Sequence, residues 1–195
     1  NLQRMEGHFA ASLAMFPPGH AFDVIGYGCT SASLLIGADK VEAIVTKQIE
    51  VPHVTTPITA AKRALGKLGA KRIGYLAPYI SEISAQMCAD FEADGFAVGA
   101  AATFGEGQDS VVGRISPGSI MSALDALAES TAGGIDAIFV SCTSLKCASI
   151  IAAAEAKLGI PVISSNSALA WDMARLANVP VGGPVNGAGK GMLFG

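Results

Sequence analysis

Apolar residues recur along this chain at two spacings. Leu2, Met5, Phe9, Leu13 and Phe16 stand three or four residues apart, the period of one helical face, and Pro17-Pro18-Gly19 ends that run. Phe22-Asp-Val-Ile-Gly-Tyr27 is a short apolar stretch that predicts a buried strand. The pattern then predicts a helix over residues 31–47, a strand over 49–54 and a helix over 57–68 stopped by Gly69. A strand over 71–77, a helix over 81–93 closed by Gly95 and a strand over 96–104 follow. Residues 105–116 are polar and contain glycine, so they read as a loop. Beyond it come a helix over 119–132, a strand over 135–141, a helix over 144–158, a strand over 160–163 and a helix over 166–176. The tail, 179–195, is rich in Gly and Pro and reads as irregular. Strands alternate with helices throughout, which predicts an α/β fold with parallel sheet. Uninterrupted apolar runs such as Ala137-Ile-Phe-Val140 suit strands covered on both faces.

The chain also repeats itself. Asp23-Val-Ile-Gly-Tyr-Gly-Cys29-Thr30-Ser31 parallels Asp136-Ala-Ile-Phe-Val-Ser-Cys142-Thr143-Ser144, each placing Cys-Thr-Ser six positions after the Asp. Val51-Pro-His-Val-Thr55-Thr56-Pro57 likewise parallels Gly159-Ile-Pro-Val-Ile-Ser164-Ser165-Asn166. The reading is two similar parallel-sheet α/β halves related by a pseudo-two-fold axis, with the active site in the cleft between them. Residues 1–78 and 164–195 would form the first half and 79–163 the second.

Composition narrows the function. The 195 residues suit one large domain or two small ones, with a core that needs no staple. Thirteen Lys and Arg against 16 Asp and Glu leave a net charge of −3, and aromatics make up 6%. There is no basic stripe and no stacking platform, so nucleic acid is not an expected partner. Mean hydropathy is +0.47, yet no apolar run approaches the roughly 20 residues of a membrane span. The four cysteines form no C-x-x-C and have no histidine at metal spacing, so no metal is expected. Free thiols without a disulfide framework, and no signal-peptide pattern, predict the cytoplasm.

The candidate chemistry sits in the two Cys-Thr-Ser turns. A cysteine at the C-terminal end of a parallel strand stands where α/β folds place ligands. If a helix starts at each turn, its free N–H groups favour a carboxylate and lower the thiol pKa. Cys29 and Cys142 are therefore the candidate reactive thiols, and Thr30, Ser31, Thr143 and Ser144 their hydroxyl neighbours. Cys88 and Cys147 read as packing. Tyr79 ends a strand. Thr55, Thr56, Ser164, Ser165 and Asn166 read as helix caps, His53 as a structural histidine and Trp171 as core.

These turns, together with Leu76-Ala-Pro-Tyr79, Gly113-Arg-Ile-Ser-Pro117 and Ser164-Ser-Asn-Ser-Ala-Leu-Ala-Trp171, resemble the aspartate/glutamate racemase superfamily. The nearest branch is that of the maleate cis–trans isomerases and arylmalonate decarboxylases. The resemblance implies two α/β halves, a cleft between them, no cofactor, a small carboxylate substrate and a homo-oligomer. It implies a cysteine pair on opposite faces of the substrate, here Cys29 and Cys142. The first would add to the double bond of maleate and the second would handle the proton. Thr30, Ser31, Thr143 and Tyr79 would surround the carboxylates. Decarboxylases of the family keep only the second cysteine, with Gly at the first position, so Cys29 argues against decarboxylation. Gln108-Asp109 stands where the isomerases place a substrate-contacting Asn, which adds Asp109 to the set and leaves room for another small acid. Members of the branch begin with a strand and loop that supply a polar residue, whereas this sequence opens on Asn1 at the helix containing Met5. The alternatives are an amino-acid or hydantoin-type racemase using the same thiols, an arylmalonate-type decarboxylase, and a non-catalytic small-acid binding protein.

Overall fold

The structure is a computed structural model, and it describes residues 5, 7–131, 134–181 and 191–195. Leu2 of the first expected helix and most of the Gly/Pro-rich tail lie outside the described residues. Helix α1 (Phe9–Leu13) leads to strand β1 (Ile25–Gly26), helices α2 (Thr30–Ile36) and α3 (Ala38–Thr46), strand β2 (Val54–Thr55) and helix α4 (Pro57–Lys67). Strand β3 (Arg72–Ala77), helix α5 (Ser81–Ala93), strand β4 (Ala97–Thr103) and helices α6 (Asp109–Val112) and α7 (Pro117–Glu129) follow. Strand β5 (Ala137–Val140), helix α8 (Ile151–Leu158), strand β6 (Val162–Ser164) and helix α9 (Ser165–Leu176) complete the α/β order.

Among the described residues all strand pairs are parallel, and they form two sheets, β1-β2 and β4-β3-β5-β6. The α/β class expected from the alternation is borne out. The two sheets are separated in the chain by α4, since Arg72–Ala77 pair with β4 and β5. Of the central strands, β3 is buried beyond Arg72 and β5 is buried along its whole length. Helix α5 covers one face, where the Phe91 ring lies 5.2 Å from that of Phe139, itself 6.2 Å from Tyr75. Helix α4 buries an alanine-rich stripe (Ala60, Ala61, Ala64), and these small side chains let α9 pack closely along it. A smaller apolar cluster around Phe9, Val41 and Val45 sits under the two-stranded sheet.

Two expected helices are corrected. The helix over 31–47 is broken at Gly37, whose φ of 90° is a conformation that favours glycine, giving α2 and α3. The helix expected from Ser144 starts only at Ile151. Cys142 has a φ of 92° and turns the chain aside. The Leu145, Cys147 and Ile150 N–H groups then bond to the Cys142, Leu145 and Cys147 carbonyls in successive turns. The loop expected at 105–116 carries the single-turn helix α6.

One buried carboxylate ties the small sheet to the helices. Asp172 on α9, with its side chain 0% exposed, accepts from the Thr55 hydroxyl at 2.7 Å and Arg63 Nη1 at 2.7 Å. Its other oxygen accepts from Arg175 Nε at 3.1 Å and Nη2 at 2.8 Å. Burial opposes its ionisation, but the hydrogen bonds from Thr55, Arg175 and Arg63, with the Arg63 charge, prevail and hold its carboxyl below the usual range. Removing the carboxylate leaves the buried Thr55 hydroxyl without its acceptor while both arginines still reach water, a cost of about 1–3 kcal/mol. Asp172→Ala is expected to lower unfolding stability at pH 7 by that order in a urea titration. A carboxyl held low in the folded state stabilises above its unfolded pKa and loses that contribution as pH falls through the folded one. The gap between wild type and variant therefore closes in strong acid.

Candidate active site

Cys142 lies just past the end of β5, and its positive φ is a conformation that costs a non-glycine residue energy and gathers at functional sites. Its backbone N–H donates to Ser165 Oγ at 3.0 Å, and the same oxygen accepts from the Thr30 hydroxyl at 2.9 Å. The Thr143 hydroxyl donates to the Gly28 carbonyl at 2.9 Å, and Asn166 Nδ2 donates to the Thr143 carbonyl at 2.9 Å. The two Cys-Thr-Ser turns, one from each sheet, are thus hydrogen-bonded into one unit.

Cys29 stands at the N-terminal boundary of α2, half-buried, with its sulfur 3.9 Å from the half-buried Ser31 hydroxyl. Thr30 is buried, and its hydroxyl crosses to Ser165 instead of capping its own helix. On the facing turn the Ser144 N–H points at the Cys142 sulfur, 3.4 Å away, and the Ser144 hydroxyl is beside it. Buried Tyr79 brings its hydroxyl next to Cys142 and Ser141, while the Thr103 hydroxyl holds its carbonyl. Asp109 opens α6 on the exposed side, and its charge acts on Cys142. Thr30, Thr143, Ser144, Tyr79 and Asp109 are therefore gathered about the joined turns, with Ser31 beside Cys29.

The electrostatics differ from expectation at Cys142. No helix begins at Ser144, so the expected nest of N–H groups does not form there. Burial instead pushes the Cys142 thiol above its ordinary value. The Ser144 N–H, the Tyr79 hydroxyl and the Ser144 hydroxyl pull the other way, and the Asp109 charge adds to the rise. Burial also raises the Tyr79 phenol far above its usual range, with the Cys142 charge next in size, so it stays a hydrogen-bond donor.

Of the residues read as caps, Thr56 and Ser164 do cap α4 and α9, accepting from the Thr59 and Ser167 N–H groups. Ser165 and Asn166 do not; they join the turns. The missed signal was the hydroxyl pair itself: one member caps, and the other, Thr55 or Ser165, reaches across the fold. Cys147 is buried, as read, but in a turn rather than on a helix. Cys88 is half-buried on α5, its thiol pushed up to about 11 by burial and Glu92. Trp171 is 5% exposed, in keeping with its core assignment. Among the described residues no group of His, Cys, Asp and Glu could hold a metal, and no helix is long and apolar enough to cross a membrane.

The model of the arylmalonate decarboxylase family matches residues 12–194. The chain belongs to that family. The resemblance to this branch is borne out. Relatives within the branch include the maleate isomerase of Nocardia farcinica, 28% identical over 176 residues, or 86% of this chain and 68% of that protein. The arylmalonate decarboxylase of Bordetella bronchiseptica is 29% identical over 140 residues, 72% of this chain and 57% of that protein. This family member therefore spans a little over half to two thirds of their lengths. A cysteine-to-serine variant of the Nocardia farcinica maleate cis–trans isomerase, solved with a covalently bound succinylcysteine intermediate, matches with a TM-score of 0.82 and 26% identity. That match covers 98% of this chain and 77% of the other.

The raised Cys142 thiol has a measurable consequence. Alkylation requires the thiolate, so the midpoint of the iodoacetamide rate at Cys142 should fall above the ~8.5 of a free thiol. Peptide mass spectrometry across pH 6–11 reads it. A midpoint below 8 would contradict the burial argument.

Proposed function

We propose that the protein is a cofactor-independent isomerase of the maleate cis–trans type, acting on a small dicarboxylate held between Cys29 and Cys142. The observation that carries this reading is the hydrogen-bonded union of two cysteine turns, with the Cys142 thiol buried beside the Tyr79 hydroxyl. The family relationship and the succinylcysteine of the Nocardia farcinica relative support it.

The chemistry balances without an oxidant. Cys29 as thiolate adds to one carbon of the double bond, and the electron pair moves to the other carbon, where the adjacent carboxylate spreads it. Cys142 gives that carbon a proton. The carbon–carbon link is now single and turns. Cys142 takes a proton back, the double bond re-forms in the trans geometry, and Cys29 leaves as thiolate. Tyr79, Thr30, Ser31, Thr143 and Ser144 supply donors for the carboxylates, and the Tyr79 hydroxyl also serves the Cys142 thiolate when it appears.

A second reading, an amino-acid racemase using the same thiols, is favoured by Asp109, whose carboxylate acts on Cys142 and suits an ammonium group. Proton NMR in D₂O separates the two. Maleate should give the fumarate singlet, whereas a racemase would instead exchange the α-proton of aspartate or glutamate. Cys29→Ala should abolish turnover. Cys142→Ala should accumulate an adduct of one maleate mass on Cys29. Normal turnover by Cys29→Ala would sink the two-thiol mechanism. Tyr79→Phe should lower kcat/KM about ten- to hundredfold, the loss of one hydrogen bond to a charged group. Unchanged kinetics would return Tyr79 to a packing role.

A further inference from the structure

Behind the Cys142 sulfur lies a line of hydroxyls that the isomerase chemistry does not use. Tyr75 pairs with Phe139 and Leu76 with Val140 in the parallel ladder, and the Ser141 N–H continues it to the Leu76 carbonyl at 2.8 Å. This register puts Tyr75, Phe139 and Ser141 on one face, with Ser141 level with Ala77. Ala77 presents only a methyl group, which leaves room for the Ser141 side chain between Tyr75 and Tyr79. Helix α5 closes the same face and brings Ser84 beside Tyr75. Tyr75 and Ser141 are 0% exposed and Ser84 is 8% exposed. No well-formed hydrogen bond satisfies any of these three hydroxyls, although Ser141 lies within reach of both tyrosines and Ser84 within reach of Tyr75. A buried hydroxyl without a well-formed bond is a cost, and its place between the two tyrosines points to what offsets it.

We infer that Ser141 and Tyr75 are positioning residues: they act on the Cys142 sulfur through Tyr79, as a buried hydroxyl chain that turns toward the sulfur when the thiol gives up its proton. When Cys142 becomes a thiolate, the Tyr79 O–H donates to it. The Ser141 O–H then rotates to donate to Tyr79 Oη, and the Tyr75 O–H donates to Ser141 Oγ. Only rotors move in the chain; protons pass solely between Cys142 and substrate. Each donor polarises the next, so the chain strengthens the bond at the sulfur. The groups facing this line are Asp109 from α6, Cys147 from the turn after β5 and Cys88 from α5 beside Tyr75. Asp109 opposes the thiolate, and the chain offsets it. The inference deepens the reading of Cys142 as the proton-handling thiol and takes its purpose from that reading, but its test needs no turnover.

The test is the pH profile of iodoacetamide alkylation at Cys142 in wild type, Tyr75→Phe and Ser141→Ala, with Cys29 in the same molecule as reference. Both variants should move the Cys142 midpoint to higher pH and slow its alkylation roughly two- to fourfold below the midpoint, leaving the Cys29 profile in place. Tyr75→Phe added to Ser141→Ala should do no more than Ser141→Ala alone, since Tyr75 acts through Ser141. An unmoved Cys142 midpoint in Ser141→Ala, with its thermal melt retained, overturns the inference, and that variant decides if Tyr75→Phe does not fold. A shifted profile in a protein that leaves maleate untouched upholds the chain and counts against the isomerase reading alone.

Discussion

The hydroxyl oxygen of Ser165 is the point on which the site depends. It accepts at once from the Thr30 hydroxyl and from the Cys142 N–H, so it fixes one cysteine turn against the other. The constraint is strict because all three groups are buried, and a buried N–H without a partner costs about 1–3 kcal/mol. It also explains how Cys142 holds a backbone angle that a non-glycine residue avoids. The neighbouring peptide is pinned from Ser165 on one side and through Thr143, Gly28 and Asn166 on the other. A strained conformation persists only where its surroundings over-determine it.

From that constraint the electrostatics follow. Carrying Cys142 to a buried strand end takes its sulfur out of water, which favours the thiol over the thiolate. The helix N-terminus that would have reversed this is absent, because the same backbone turn that aims the sulfur prevents α8 from starting at Ser144. What stabilisation the thiolate receives comes from single donors, the Ser144 N–H, the Tyr79 hydroxyl and the Ser144 hydroxyl, against the charge of Asp109. Such an arrangement suits a group that passes a proton back and forth more than one that stays ionised. Cys29, on the other turn, is half-buried where Cys142 is buried, and the proposed division of labour makes this more exposed thiol the one that attacks.

Much of this was legible in the sequence, for physical reasons. Continuous apolar runs such as Ala137–Val140, bounded by turn residues, suit a strand covered on both faces, and the duplicated Asp-to-Cys-Thr-Ser spacing marked both turns. The errors arose where a tertiary contact outranked a local signal. At Gly37 the glycine was itself the local signal, and the helical pattern on both sides of it masked the break. Ser144 looked like a helix start because its neighbours favour one, but the positive φ at Cys142 is imposed from Ser165, which is remote in sequence. Ser165 itself read as a cap, since a hydroxyl beside a strand end usually is one, and its neighbour Ser164 does fill that role. Asp172 carried no motif at all. A buried carboxylate between two arginines is a property of how α4 and α9 cross, and only the packing shows it.

The central claim is that the two thiols address one small acid from opposite sides. Crystals of the wild-type protein grown with succinate, a saturated dicarboxylate that cannot react, test it most directly. The account predicts a single succinate whose two central carbons lie within about 4 Å of both the Cys29 and Cys142 sulfurs, one on each face of the ligand. A succinate that touches only one sulfur, or that binds elsewhere while both thiols face protein, would contradict it.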